Sequence, residues 1–150
     1  MTQQVINYNQ DFYAWAMRNA TLIRQGHWQE IDVEHVAEEL EGMGRSERNE
    51  FMSRCAVLLA HLLKWQFQSR KQSRSWRLTI EEQRLQIKQL LLENSSFYHQ
   101  IEDKIAQAYA IGLIQAQKQT HLSKSHFPDS CPYNLSELLD ETFYPTPTDK

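Results

Sequence analysis

The chain has 150 residues, the size of one ordinary domain. With 41% hydrophobic and 23% charged residues, four glycines and four prolines, it reads neither as a disordered polar chain nor as a turn-rich all-β one. The net charge of −3 excludes a globally basic, histone-like protein, and no run of about 18 apolar residues is present to span a membrane.

The apolar pattern has helical period almost throughout. From Asp11 to Gln25, Phe12, Trp15, Ala16, Asn19, Leu22 and Ile23 keep three-and-four spacing; Asn9 or Asp11 caps the start and Gly26 closes the end. A short amphipathic helix follows over about residues 32–41, with Asp32 as N-cap and Val33, Val36, Ala37 and Leu40 as its apolar side. Gly42-Met43-Gly44 is expected to end it, and Ser46 to cap a central helix over about 47–68. There Phe51, Cys55, Leu58, Leu62 and Trp65 form a stripe widened by Met52, Ala56, Leu59 and Leu63. Glu50, Ser53, Arg54, His61, Lys64 and Gln68 are placed across from it.

The serine-rich stretch 69–75 is a break, after which Ser73 or Ser75 caps a helix carrying Trp76, Ile80, Gln83, Ile87, Leu90 and Leu91. Asn94-Ser95-Ser96 ends that helix, and another is predicted from about Phe97 to Gln119. Ile101, Ile105, Ala108, Tyr109, Gly112 and Leu113 make its core side. Asn134 and Glu137 have capping-box spacing for a last helix over 135–140. Short breaks between long helices favour antiparallel neighbours, so the expectation is an all-α fold: an antiparallel helical bundle with short flanking helices. It reads as a single domain over 1–150 with flexible ends at 1–7 and 146–150. The N-terminal stretch lacks a basic region followed by an apolar one, so no secretory signal is read and the cytoplasm is the default location. Cys55 and Cys131 are therefore expected as free thiols.

Five blocks in order, DFYAWAMRNATLIRQGHW, HVAEELEGMGRSERNE, LLAHLLKWQFQ, SRSWRLTIEEQRLQI and FPDSCPYNLSELLDETFYP, resemble the DUF29 family, proteins of unknown function found chiefly in cyanobacteria. The resemblance covers about residues 8–145 and departs at His35, where an Asn-like residue is more usual. It implies an all-helical single domain and brings with it no activity, cofactor or catalytic residue.

Three stretches carry chemistry-bearing residues. Residues 30–50 hold eight acids against two bases, a local charge of −6. Glu34, Glu38 and Glu41 share a helix face there, while neighbouring Glu38 and Glu39 diverge. A solvated acidic face is the first reading of this pattern, ahead of a metal or acid–base site. The second is His61, about 40° from Trp65 on a helical wheel and at the edge of the apolar arc. It reads first as a hydrogen-bonded packing residue, and otherwise as a general base, a metal ligand or a pH-sensitive hinge. The third is residues 64–88, seven bases against two acids, a local charge of +5. Arg70, Lys71, Arg74, Arg77 and Arg84 lie there near Trp65, Phe67 and Trp76, a composition that can hold phosphate or simply pair with the acidic stretch. Gly42 and Gly44 lack the third glycine and the preceding strand of a dinucleotide fingerprint. His27, His99, His121 and His126 have no zinc spacing with the cysteines. No cofactor or metal is therefore expected.

The leading expectation is a helical interaction or regulatory module without enzymatic activity of its own, binding a protein partner or forming a homo-oligomer. The first alternative is RNA or DNA binding through Arg70, Lys71, Arg74, Arg77 and Arg84. The second is a small metal-dependent nuclease or hydrolase using Glu38, Glu39 and His61.

Overall fold

The structure, a computed structural model, describes residues 7–148. Among them there is no strand and there are five α-helices: α1 (Phe12–Gln25), α2 (Val33–Phe67), α3 (Arg74–Glu93), α4 (Ile101–Thr120) and α5 (Leu135–Leu139). None is long and apolar enough to cross a membrane. The chain divides into two units, Met1–Ser46 and Glu47–Lys150, with the boundary inside α2. The expectation of flexible ends falls partly on residues 1–6 and 149–150, outside the described residues. Thr148 itself donates its backbone N–H to Gln66 O at 2.9 Å.

In the first unit Asp11 caps α1 through Ala14 N at 3.0 Å, and Gly26, at φ 72°, ends it in the left-handed conformation that glycine adopts without penalty. Trp15, Asn19 and Leu22 form the buried side of α1. Phe12 and Ile23, expected on that side, are largely exposed at its margins.

The predicted break at Gly42-Met43-Gly44 does not occur: α2 runs without interruption from Val33 to Phe67, and Ser46 is an interior helix residue rather than a cap. A glycine costs a helix only about 1 kcal/mol relative to alanine. Strong helix formers flank both glycines, no proline follows, and the Glu41–Arg45 ion pair at 3.6 Å spans the stretch at i, i+4.

In the second unit the later part of α2 is the central element. Its Phe51, Leu58, Leu59, Leu62 and Leu63 are almost fully buried against Ile80 and Ile87 of α3 and Ile105, Ala108 and Leu113 of α4. Helix α3 runs back along α2, with Trp76 at its start beside Lys64 and Asn94 at its end beside Glu47. Helix α4 returns parallel to α2, so that Gln119 near its end receives Lys64 Nζ at 2.8 Å. This is the all-α bundle that the periodicity predicts. Ser73, rather than Ser75, caps α3. Helix α4 starts at Ile101 and not at Phe97, because a 3₁₀ turn at Ser95–Tyr98 first buries Phe97 against Phe51, with ring centres 5.2 Å apart. The capping box of Asn134 and Glu137 is formed as predicted, at 2.8 and 3.0 Å.

Lys64 departs from its predicted place. It is only 6% exposed, with its ammonium 4.5 Å from the centre of the Trp76 ring as well as bonded to Gln119. The helical wheel places Lys64 across from the core, but Trp76 of α3 and Gln119 of α4 cover that side as well.

Candidate functional site

The first unit holds a polar cluster at the entry to α2. Asp32 Oδ2 accepts from Trp15 Nε1 at 2.8 Å and from His35 Nδ1 at 2.7 Å, and Asp32 N donates to Asn19 Oδ1 at 2.8 Å. Tyr8 stacks on the His35 ring with centres 4.3 Å apart and donates its hydroxyl to Glu39. Burial works to raise the Asp32 pKa, but the bonds from Trp15 and His35 outweigh it and hold the carboxyl below its usual value. The Tyr8 hydroxyl is pushed up, first by its bond to the Glu39 carboxylate. Sequence reasoning missed this cluster, although Asp32 and His35 at i, i+3 and the buried Asn19 were its visible signals. Of the acidic candidates, Glu39 is engaged by Tyr8, while Glu34, Glu38 and Glu41 are exposed. Among the described residues no group of three His, Cys, Asp or Glu side chains is placed to hold a metal ion.

Glu38 and Glu39 belong to the first unit and His61 to the second. His61 is partly buried and its Nδ1 lies 2.9 Å from Val57 O. A carbonyl only accepts, so Nδ1 carries the hydrogen. Burial, with Lys64 nearby, lowers the His61 pKa against the opposing bond to Val57. Cys55 is buried, and its thiol is pushed up to about 12 by that burial; it and Cys131 are free thiols.

The acidic stretch makes local ion pairs, Glu41 with Arg45 and Glu50 with Arg54. Arg70, Lys71, Arg74 and Arg77 are exposed, and none of the ion pairs among the described residues involves them. Arg70 also borders a cavity of about 480 Å³ with Phe67, Leu122, Ser125 and His126. Arg84 does not share their surface and is corrected as a nucleic-acid contact. It is 1% exposed, donating Nε to Leu138 O at 2.8 Å and Nη2 to Glu137 O at 3.1 Å and Phe143 O at 2.8 Å. Position 84 shares the inner face of α3 with Ile80, Ile87 and Leu91, so its guanidinium meets protein carbonyls instead of solvent.

The opposite side of α3 carries a second feature missed from the sequence. Leu78, Leu85 and Leu92 are 45%, 66% and 80% exposed and lie on one line of the helix. Their spacing of seven is the signal in the sequence, and it lies outside the three-and-four stripe that marks the core face of α3.

The family described as "Domain of unknown function DUF29" matches residues 7–144. The chain belongs to this family. No curated protein and no solved structure matches it. The functional reading of this DUF29 chain therefore rests on its own geometry.

The His61 shift has a measurable sign. Because the folded pKa lies below the unfolded one, the unfolded DUF29 chain takes up the proton first, and stability falls as pH drops from about 6.5 toward the folded value. The wild-type chain is expected to lose more unfolding free energy between pH 7.5 and pH 5 than the His61→Gln variant does, read by urea denaturation at both pH values. Equal losses in the two proteins would remove this role for His61.

Proposed function

We propose that this chain is a cytoplasmic helical interaction module that binds a protein partner through the outer face of α3. The observation that supports this most is the exposed row of Leu78, Leu85 and Leu92. Isolated exposed leucines are ordinary, but a straight row over four turns of a helix is the pattern that a second helix covers. The chain is read as having no catalytic activity of its own. With a tagged chain kept at its native level, a stoichiometric complex is expected. Leu85→Glu is expected to weaken that complex by about tenfold or more, since it puts a carboxylate at the centre of the row. A complex that survives Leu85→Glu unchanged contradicts the reading, as does a chain that runs at its native level with no partner of any kind.

One observation favours a second reading. The four exposed bases Arg70, Lys71, Arg74 and Arg77 lack ion-pair partners among the described residues, which suits them to the phosphates of RNA or DNA. Arg74→Ala together with Arg77→Ala is then expected to weaken binding to a labelled single strand and to reduce the salt slope by about two. Unchanged affinity in the double variant would sink this alternative.

A further inference from the structure

We infer that the leucine row of α3 takes a second copy of this chain, antiparallel, about a twofold axis beside Leu85. The inference rests on the interaction reading and gives it an occupant and an orientation. Its basis is the charge that flanks the row. On a helical wheel, Leu78 and Leu92 fall about 20° to either side of Leu85, while Glu81 and Lys88 lie together on one flank and Glu82 and Gln89 on the other. Glu81, Glu82 and Gln89 are exposed and Lys88 is half-buried. Glu81 and Glu82 lie about one turn before Leu85, and Lys88 and Gln89 about one turn after it.

An antiparallel twofold sets each flank against the same flank of the copy and reverses the direction along the helix. Glu81 of each copy then meets Lys88 of the other, so the ion pair forms twice. Glu82 meets Gln89 twice, Leu78 meets Leu92 twice, and Leu85 meets its own image. The patch is thus self-complementary, as a twofold interface requires. A parallel pair sets each flank against the opposite one and brings Glu81 against Glu82 on both sides, a like-charge contact. The bond that Lys88 Nζ makes to Glu141 at 3.2 Å within one chain is a surface pair in which Glu141 is freely exposed, and such pairs contribute little. It leaves Lys88 able to face a second carboxylate.

Sedimentation equilibrium of the full chain over a micromolar concentration series at low salt tests this. A reversible dimer is expected, and Leu85→Glu is expected to raise its dissociation constant about tenfold or more. Glu81→Lys alone places two lysines together at each end of the antiparallel contact and is expected to weaken the dimer by about tenfold. Glu81→Lys with Lys88→Glu recreates the pairs in reverse and is expected to return the dimer to within about threefold of wild type. A chain that stays single throughout the series overturns the inference. If the native complex still depends on Leu85 in that case, the interaction reading stands and the occupant is another protein; if it does not, both fail. A dimer that Glu81→Lys strengthens overturns the antiparallel orientation, because a parallel pair would gain attraction to Glu82.

Discussion

Replacing Arg84 with alanine is expected to cost about 3 kcal/mol of unfolding free energy, which for a chain of this size lowers the melting temperature by about 10 °C. The side chain is among the largest that are fully buried, and it ties α3 to α5 and to the chain that follows it. Three carbonyls, of Glu137, Leu138 and Phe143, accept from it, and the Tyr144 ring lies 5.5 Å from its guanidinium carbon. Burial lowers its pKa, partly countered by Tyr144, Asp140 and Glu141, yet a guanidinium stays charged in proteins. Its charge-assisted bonds are individually strong, but desolvation offsets much of them, and Nη1 has no hydrogen-bond partner among the described residues. The cost of truncation comes chiefly from three carbonyls left without a donor and from a cavity beside Leu138. Urea unfolding gives the magnitude, and limited proteolysis gives the location: cleavage within residues 133–148 should rise before cleavage in α2. A loss below about 1 kcal/mol, with no change in cleavage, would show that Arg84 does not hold this segment.

Gly112→Ala is expected to destabilise the chain by about 2 kcal/mol, against the usual preference of helices for alanine. Helix α4 crosses α2 so closely here that an added Cβ would lie 2.8 Å from Ala56 O, 3.2 Å from Leu59 Cβ and 3.3 Å from Ala60 N. The first of these is backbone at the centre of a packed helix and cannot swing aside, so the two helices must separate. Gly44→Ala is the matched control. Nothing lies within 4 Å of its added Cβ, and it should gain about 0.5–1 kcal/mol by favouring the helix. Opposite signs for one chemical change, read in the same urea titration, isolate the close approach. A stabilising Gly112→Ala would contradict the packing of α4 on α2.

These two positions illustrate what a single sequence reveals. Gly112 was readable as a core-face residue with small neighbours, because periodicity reports which side of a helix is buried. How close the next helix comes was not readable, because that depends on which residues face it across space. Gly42 and Gly44 do not end the helix for a related reason: their local cost of about 1 kcal/mol each is outweighed by the helix formers on both sides and the Glu41–Arg45 pair. The wheel of α2 puts Lys64 across from the apolar stripe and the basic stretch makes Arg84 a phosphate candidate, and only tertiary structure supplies the carbonyls, Gln119 and the Trp76 ring that let them be buried. The Trp15–Asp32–His35 cluster needed α1 and the start of α2 side by side before it could be seen. The leucine row was fully present in the sequence. What the structure added is that this side of α3 is left uncovered.

On the proposed reading α3 has two faces with separate roles: an inner face that holds the fold together, and an outer leucine row that a partner covers. The unfolding free energy of Leu85→Glu, measured by urea titration at a concentration where the chain is single, separates the two faces. The predicted result is a value within about 0.5 kcal/mol of wild type, as for an exposed position, alongside the loss of association. A drop of about 2 kcal/mol or more would mean that Leu85 belongs to the core, and the recognition face would not exist as described.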